Sequence, residues 1–341
     1  MFDIVNILLT RKCNLNCETC RLTNDYKDKP FSYKSVRNIK ESDLSQWKKF
    51  GKFIVDNKLD AFLLLYGGEP FFYKDLEKLI SYYNDIGVPY TIITNATFSE
   101  KAIKLLPKLQ EFTCSVDPII YSDDTSDRTN KSRNGLDLLI KFRELKPEMI
   151  LVAEVVLDRK NMKYLERLLE EFKKYNIIAS ISILEYDMNE YYNFYLPKDQ
   201  INDLVLTRDD CDFMYAKIVE LLKKGYNIHF PEATLQVLKD GSMNSNCSIP
   251  ENYETLTIDA DGSLLLCLRI EGTECKKINI FNMIDKINNN QISFDNFIDS
   301  IKLKAKEDKD RYCHKCSWTC IAMAENATTD EITHLKDGIM L

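Results

Sequence analysis

The chain has 341 residues, a formal net charge of −7 and a pI near 5.3, which exclude a broadly basic face for nucleic acid or an anionic membrane. Hydrophobic residues at 45% and charged residues at 29% describe a globular chain long enough for a well-buried core and two domains. No apolar run approaches the roughly 20 residues of a membrane span, and the N-terminus lacks the build of a signal peptide. A cytoplasmic location follows as the expectation, and there clustered cysteines serve more readily as metal ligands than as disulfides.

The first element is the apolar run Ile4-Val5-Asn6-Ile7-Leu8-Leu9, a strand. Cys13, Cys17 and Cys20 follow it in a loop with the spacing C-x3-C-x2-C. After a polar stretch, a helix fits Ser42 to Asn57, with Ser42 or Asp43 as N-cap and Trp47, Phe50 and Ile54 on one face. Ala61 to Tyr66 is a buried second strand ending at Gly67-Gly68, and a helix from Tyr73 to Asp85 stops at Gly87. Strands at Tyr90 to Ile93, Phe112 to Val116, Met149 to Val156 and Ile177 to Leu184 alternate with helices at Ser99 to Leu106, Ser132 to Arg143 and Asn161 to Tyr175. Such alternation predicts parallel βαβ units. Six units are too few for an eight-unit barrel, so the fold expected is α/β, a partial (β/α)6 TIM-type barrel.

In barrels of this kind, chemistry gathers at the C-terminal ends of the strands. Here those ends carry the three cysteines, Gly67-Gly68-Glu69-Pro70, Thr94-Asn95-Ala96, Ser115-Val116-Asp117, Asp158 and Glu185-Tyr186. Turn conformation alone favours Gly, Asn and Asp at such places; their convergence on one rim is the stronger signal.

Three thiolates are one short of the four that close a structural zinc site or ligate an iron–sulfur cluster fully. They can hold a [4Fe–4S] cluster with one open iron, or belong to a zinc knuckle whose fourth ligand lies elsewhere. The eleven cysteines are unevenly spread, with six between Cys247 and Cys320. Strand parity turns Cys114 towards the helices as a small buried hydrophobe. Acidic neighbours disfavour a thiolate at Cys211, and His229 and His334 read as structural.

Cys13, Cys17, Cys20 and Gly67-Gly68-Glu69-Pro70 together give residues 3–185 a close resemblance to the radical S-adenosylmethionine enzymes. The resemblance implies that the three cysteines hold a [4Fe–4S] cluster whose open iron binds S-adenosylmethionine. Gly67, Gly68, Glu69, Pro70, Thr94, Asn95, Ser115 and Asp117 then become cofactor-binding positions. Consecutive glycines suit close backbone approach to a ligand, and Glu69 suits a charge-assisted bond to the methionine ammonium. The chain departs from the family at Thr19, where an aromatic residue is common, which removes a stacking contact near the adenine. The reaction implied is reductive cleavage of the cofactor to a 5′-deoxyadenosyl radical that abstracts hydrogen from a substrate. A flavodoxin or ferredoxin is implied as electron donor.

Further along, Tyr186 to Tyr195 is a tyrosine-rich stretch, either a substrate-facing loop or an amphipathic connector, and a helix fits Asp212 to Lys224. Glu254 to Asp259 and Leu264 to Cys267 flank Asp261-Gly262 as a hairpin. Cys247, Gly262 and Cys267, with Cys313, Cys316 and Cys320 beyond, resemble the SPASM and twitch extensions of the same superfamily. One auxiliary iron–sulfur cluster is implied, on Cys247, Cys267, Cys313 and Cys316, with Cys320 as a substitute and Cys275 a more distant candidate. A zinc site including His314 is the competing reading. The expected organisation is a barrel over 1–185, a connecting region over 186–245, a smaller α+β cysteine-rich domain over 246–325, and a tail over 326–341. The resemblance implies a peptide or protein substrate, with Asp158, Glu185 and Tyr186 as substrate-facing candidates. Because the chain starts almost at the barrel, recognition is expected from the loops or a separate protein. A small-metabolite dehydrogenase or rearrangement enzyme, and a zinc-stabilised binding protein, are the alternatives.

Overall fold

In the computed structural model, β1 (Ile4–Thr10) starts a sheet that reads outward in both directions from this strand. The structure describes residues 4–15, 17, 20, 39–184, 203–229, 235, 238–239, 255–265 and 277–312. To one side lie β2 (Phe62–Gly67), β3 (Tyr90–Thr94), β4 (Glu111–Ser115), β5 (Ile150–Leu157), β6 (Ile178–Ile183) and a two-residue β7 (Ile228–His229), each parallel to its neighbour. The helices between them are α1 (Leu44–Asp56), α2 (Leu76–Ile86), α3 (Ser99–Leu105), α4 (Asp127–Leu145), α5 (Leu165–Lys174) and α6 (Arg208–Lys223). This is the α/β, mostly parallel arrangement of a partial barrel.

Local chemistry sets the helix ends. Asp43 and Gln46 form a reciprocal capping box at the start of α1, whose Trp47, Phe50, Phe53 and Ile54 are buried. Gly87 closes α2 in a left-handed conformation at φ 76°. α4 begins at Asp127, capped by Ser126, rather than near Ser132. Its first turn is polar and has no apolar period, yet Arg128 and Thr129 are buried there by hydrogen bonding. α6 likewise starts earlier than expected, at Arg208, behind a capping box of Thr207 and Asp210.

The other side of β1 holds the larger departure. The expected hairpin is present as β8 (Thr255–Ile258) and β9 (Leu264–Leu265), paired antiparallel. It does not start a separate core. β8 runs parallel to β1, pairing Ile4 with Thr255 through Ile7 with Ile258, and so extends the barrel sheet. An edge strand exposes unpaired N–H and C=O groups, and β8 satisfies those of β1. α7 (Ile280–Asn288) then packs on α1, with Phe281 edge-on to Trp47 at 5.1 Å between ring centroids. Residues of α8 (Phe294–Tyr312), such as Phe297 and Ile301, join the same hydrophobic core. Described residues on both sides of position 246 thus share one hydrophobic cluster. Cys247, Cys267, Cys275, Cys313, Cys316 and Cys320, with His314 and His334, lie outside the described residues. Among those described, no helix is long and apolar enough to cross a membrane.

Candidate active site

Thr10 and Gly67 are paired at the upper ends of β1 and β2, and the loops that follow interlock. The Gly68 N–H donates to the Thr10 carbonyl and the Glu69 N–H to the Lys12 carbonyl, both at 2.8 Å. A side chain on Gly67, whose φ is +140°, would overlap the Thr10 carbonyl oxygen; one on Gly68 would overlap that of Lys12. The glycine pair is thus required by the backbone that leads into Cys13.

Glu69, fully buried, turns away from solvent. Its Oε1 accepts from Thr94 Oγ1 at 2.8 Å and from the Phe71 N–H at 3.2 Å, and its Oε2 accepts from the Asn95 N–H at 2.8 Å. Burial raises the carboxyl above its ordinary range, against these hydrogen bonds. Each carboxylate oxygen has room for two bonds, so Oε2 keeps one position for a further donor. Pro70 opens the short 3-10 turn Pro70–Phe72 behind it. Thr94 therefore holds Glu69, while Asn95 faces the cysteine loop, its Nδ2 donating to Cys13 Sγ at 3.5 Å and to Asn14 Oδ1 at 3.3 Å.

The three thiols share one neighbourhood. Burial raises the Cys13 thiol, and the Leu15 N–H bond opposes that. Burial also pushes Cys17 up to about 11, with Lys131 opposing and Cys20 and Cys13 adding to the rise. Among the described residues no three His, Cys, Asp or Glu side chains are gathered closely enough for one metal ion. A cluster makes a different demand, since each thiolate binds its own iron. Three soft donors, one already accepting two N–H···S bonds of the kind that tune such clusters, fit that group.

Arg11 fastens this loop to the hairpin. Its Nε donates to Asp259 Oδ1 at 2.7 Å and its Nη2 to Oδ2, with both residues buried. Neither residue was singled out from the sequence, because 248 positions separate them.

At β4 and β5 two of the expected site residues are engaged in the fold. Asp117, expected at a cofactor, is almost wholly buried, accepting from Arg128 Nε at 2.7 Å and from the Val156 N–H at 2.7 Å. Burial works upward on its carboxyl, but Arg128 and Lys131 outweigh it and hold the group below the usual range. Asp158, expected to face substrate, is also buried, accepting from Arg128 Nη1 and from the N–H groups of Lys160 and Asn161. Both carboxylates are consumed in tying the ends of β4 and β5 to α4. Arg128, the centre of this network, lies in a polar turn that gave no periodic signal. Glu185 and Tyr186 lie outside the described residues.

Ser115 keeps its inward place, and the structure adds companions. Register pairs Ser115 with Glu154, Glu154 with Ser180, and Ser180 with His229. All four are partly exposed, and Ser115, Glu154 and Ser180 each stand between buried neighbours. Glu154 was legible as the one charged residue in the apolar run Met149 to Val156, and Ser180 and Ser182 as a polar alternation. Asn227-Ile228-His229 is too short to read as a strand. Cys114, fully buried, lies against Gly135 of α4, on the helix side.

Residues 7–172 match the model of the Radical SAM superfamily, for which S-adenosylmethionine and a [4Fe–4S] cluster are typical. Streptococcus suis SuiB bound to S-adenosylmethionine is similar in structure, with a TM-score of 0.62 at 17% identity over 84% of this chain and 65% of that one. The complex of Streptococcus suis SuiB with the precursor peptide SuiA gives 0.60 at 15% identity over 84% and 64%. Native anSMEcpe with bound AdoMet gives 0.54 at 14% identity over 98% and 100%. The chain spans 65% of the length of the first SuiB chain, and at these identities the likeness is one of fold. No curated protein matches the chain.

Proposed function

We propose that this enzyme breaks a C–H bond in a peptide or protein side chain, using S-adenosylmethionine bound beside a cluster on Cys13, Cys17 and Cys20. The observation that carries the cofactor assignment is the interlocking of the two motif loops. Gly68 and Glu69 bond to the Thr10 and Lys12 carbonyls of the segment leading into Cys13, and Asn95 bonds to Cys13 itself. When bound, the pair supplies an electron and a 5′-deoxyadenosyl group that takes a hydrogen atom from the substrate. The chain's own part is to keep the loops in register, to leave one acceptor position on Glu69, and to enclose the lumen.

Support for a peptide substrate comes from SuiB, a protein of similar fold whose structure holds the precursor peptide SuiA. The cysteines from Cys247 onward extend the proposal to one auxiliary iron–sulfur cluster on Cys247, Cys267, Cys313 and Cys316, with Cys320 or Cys275 as substitutes. A flavodoxin or ferredoxin is the electron donor under this reading, Thr94, Ser115 and Pro70 shape the cofactor pocket, and Glu185 and Tyr186 face the substrate. Anaerobic reconstitution tests it. About eight irons per chain and 5′-deoxyadenosine on reduction are expected, with that product lost on Cys13→Ala, Cys17→Ala or Cys20→Ala. Zinc without iron, and no nucleoside product, would refute it.

A further inference from the structure

The barrel wall carries a polar row of which the cofactor assignment uses only the Ser115 end. Ser115, Glu154, Ser180 and His229 are adjacent in register across β4, β5, β6 and β7. Residues level with one another on parallel strands face the same side of the sheet. That side is the lumen, because the alternate positions Cys114, Ala153, Val155 and Ala179 are fully buried towards the helices. At a strand spacing of about 4.8 Å the row runs roughly 14 Å across the wall. It starts beside the cysteine loop: Thr94 pairs with Cys114, so Asn95 comes level with Ser115, and Asn95 bonds to Cys13 Sγ at 3.5 Å.

Charge on this wall is one-sided. The described strands contain two carboxylates, Glu111 and Glu154, and neither Lys nor Arg. Glu111 lies four positions lower on β4, beside Thr91, away from the rim. Glu154 takes a hydrogen bond from Ser180 and feels the charge of Asp117; the cations beside Asp117 are Arg128, held by Asp117 and Asp158, and Lys131, whose Nζ is 3.8 Å from Asp117. Burial pushes the Glu154 carboxyl up to about 7. Among the described residues no cation pairs with Glu154; an enclosed carboxylate of that kind is costly, and this one is still reachable from the lumen.

We propose that Glu154, Ser180 and His229, the part of the row beyond Ser115, form a substrate subsite for a cationic hydrogen-bond donor, an ammonium or guanidinium carried by the molecule whose C–H bond is broken. Glu154 is the counter-charge, and the hydroxyl of Ser180 flanks it. The subsite rests on the radical enzyme reading above and narrows its substrate to a peptide with a lysine- or arginine-like group near the reacting carbon.

The test uses reconstituted enzyme with S-adenosylmethionine bound. Nα-acetyl-lysinamide and Nα-acetyl-norleucinamide, which lacks the ammonium, are each titrated by calorimetry. A charge-assisted bond in this setting should favour the lysine probe by about tenfold or more. Glu154→Gln, judged folded by its iron content and melting temperature, should reduce that preference to under about twofold. Equal binding of the two probes to the wild type, or an unchanged preference in Glu154→Gln, overturns the subsite. If Glu154→Gln takes up no iron, Ser180→Ala replaces it, since it removes only the hydroxyl bonded to Glu154. A weakened preference is expected there, and an unchanged one overturns the proposal. Reduction of the same preparations separates the two readings. Enzyme that forms 5′-deoxyadenosine without preferring the lysine probe rejects the subsite alone, whereas protein that binds no iron rejects the functional reading beneath it.

Discussion

Replacing Asp259 by alanine should destabilise the protein far more than a surface change would. Arg11 is 3% exposed and Asp259 fully buried, and the two are joined by a two-pronged contact from Nε and Nη2. Asp259 Oδ1 also accepts the Ala260 N–H at 2.7 Å. Removing the carboxylate leaves a buried guanidinium without its counter-charge, which typically costs about 3–5 kcal/mol. Arg11→Met with Asp259→Leu removes both charges and keeps much of the volume, so the pair of changes should cost less than either alone. Urea unfolding of the metal-free protein under reducing conditions measures all four forms, and iron uptake on reconstitution reports whether the cysteine loop is still held. A loss below about 1 kcal/mol for Asp259→Ala, the worth of an exposed pair, would refute the clamp. So would single-mutant losses that simply add in the double mutant.

Gly68→Ala should cost about 1–3 kcal/mol by forcing a methyl group onto the Lys12 carbonyl. It should also weaken the change that S-adenosylmethionine makes in the electron paramagnetic resonance spectrum of the reduced cluster; an unaltered melting temperature and spectrum would contradict the interlocking. Glu111→Gln tests a buried acid. Burial pushes Glu111 up to about 7, with Thr91 opposing and Glu154 adding. Because its folded pKa lies above an unfolded value of about 4.3, its stabilising contribution is complete below that lower value and is lost as pH rises through about 7. The loss at alkaline pH is on the order of 3 kcal/mol. The variant should therefore gain stability over the wild type between pH 5 and pH 8 in thermal melts, and parallel curves would count against the burial argument.

The strand–helix alternation was readable because each strand is an apolar run bounded by turn residues, and Gly87 and Asp43 mark helix ends by well-understood chemistry. The cysteine spacing and Gly67-Gly68-Glu69 were readable because they are contiguous. Asp117 and Asp158 were ambiguous for a physical reason: a carboxylate at a strand end looks the same in sequence whether it meets a ligand or a buried arginine. Arg128, the partner of both, is defined by contacts across three elements. The hairpin was legible as a hairpin, but its attachment to β1 was not, since pairing across 251 positions leaves no local trace.

Read alone, the chain already offered the candidate donors: three thiols in one loop beside a glycine pair. Those are properties of residue type and spacing. Only the tertiary structure decided which polar groups remain available. Parallel register brought Ser115, Glu154, Ser180 and His229 into one row from strands far apart in the chain. Long-range ion pairing withdrew Asp117 and Asp158 from the rim and fastened Arg11 to Asp259. The physical reason is common to these cases: a buried charge must find a counter-charge or stay costly, and where that partner stands is fixed by packing between elements, which one-dimensional order does not contain.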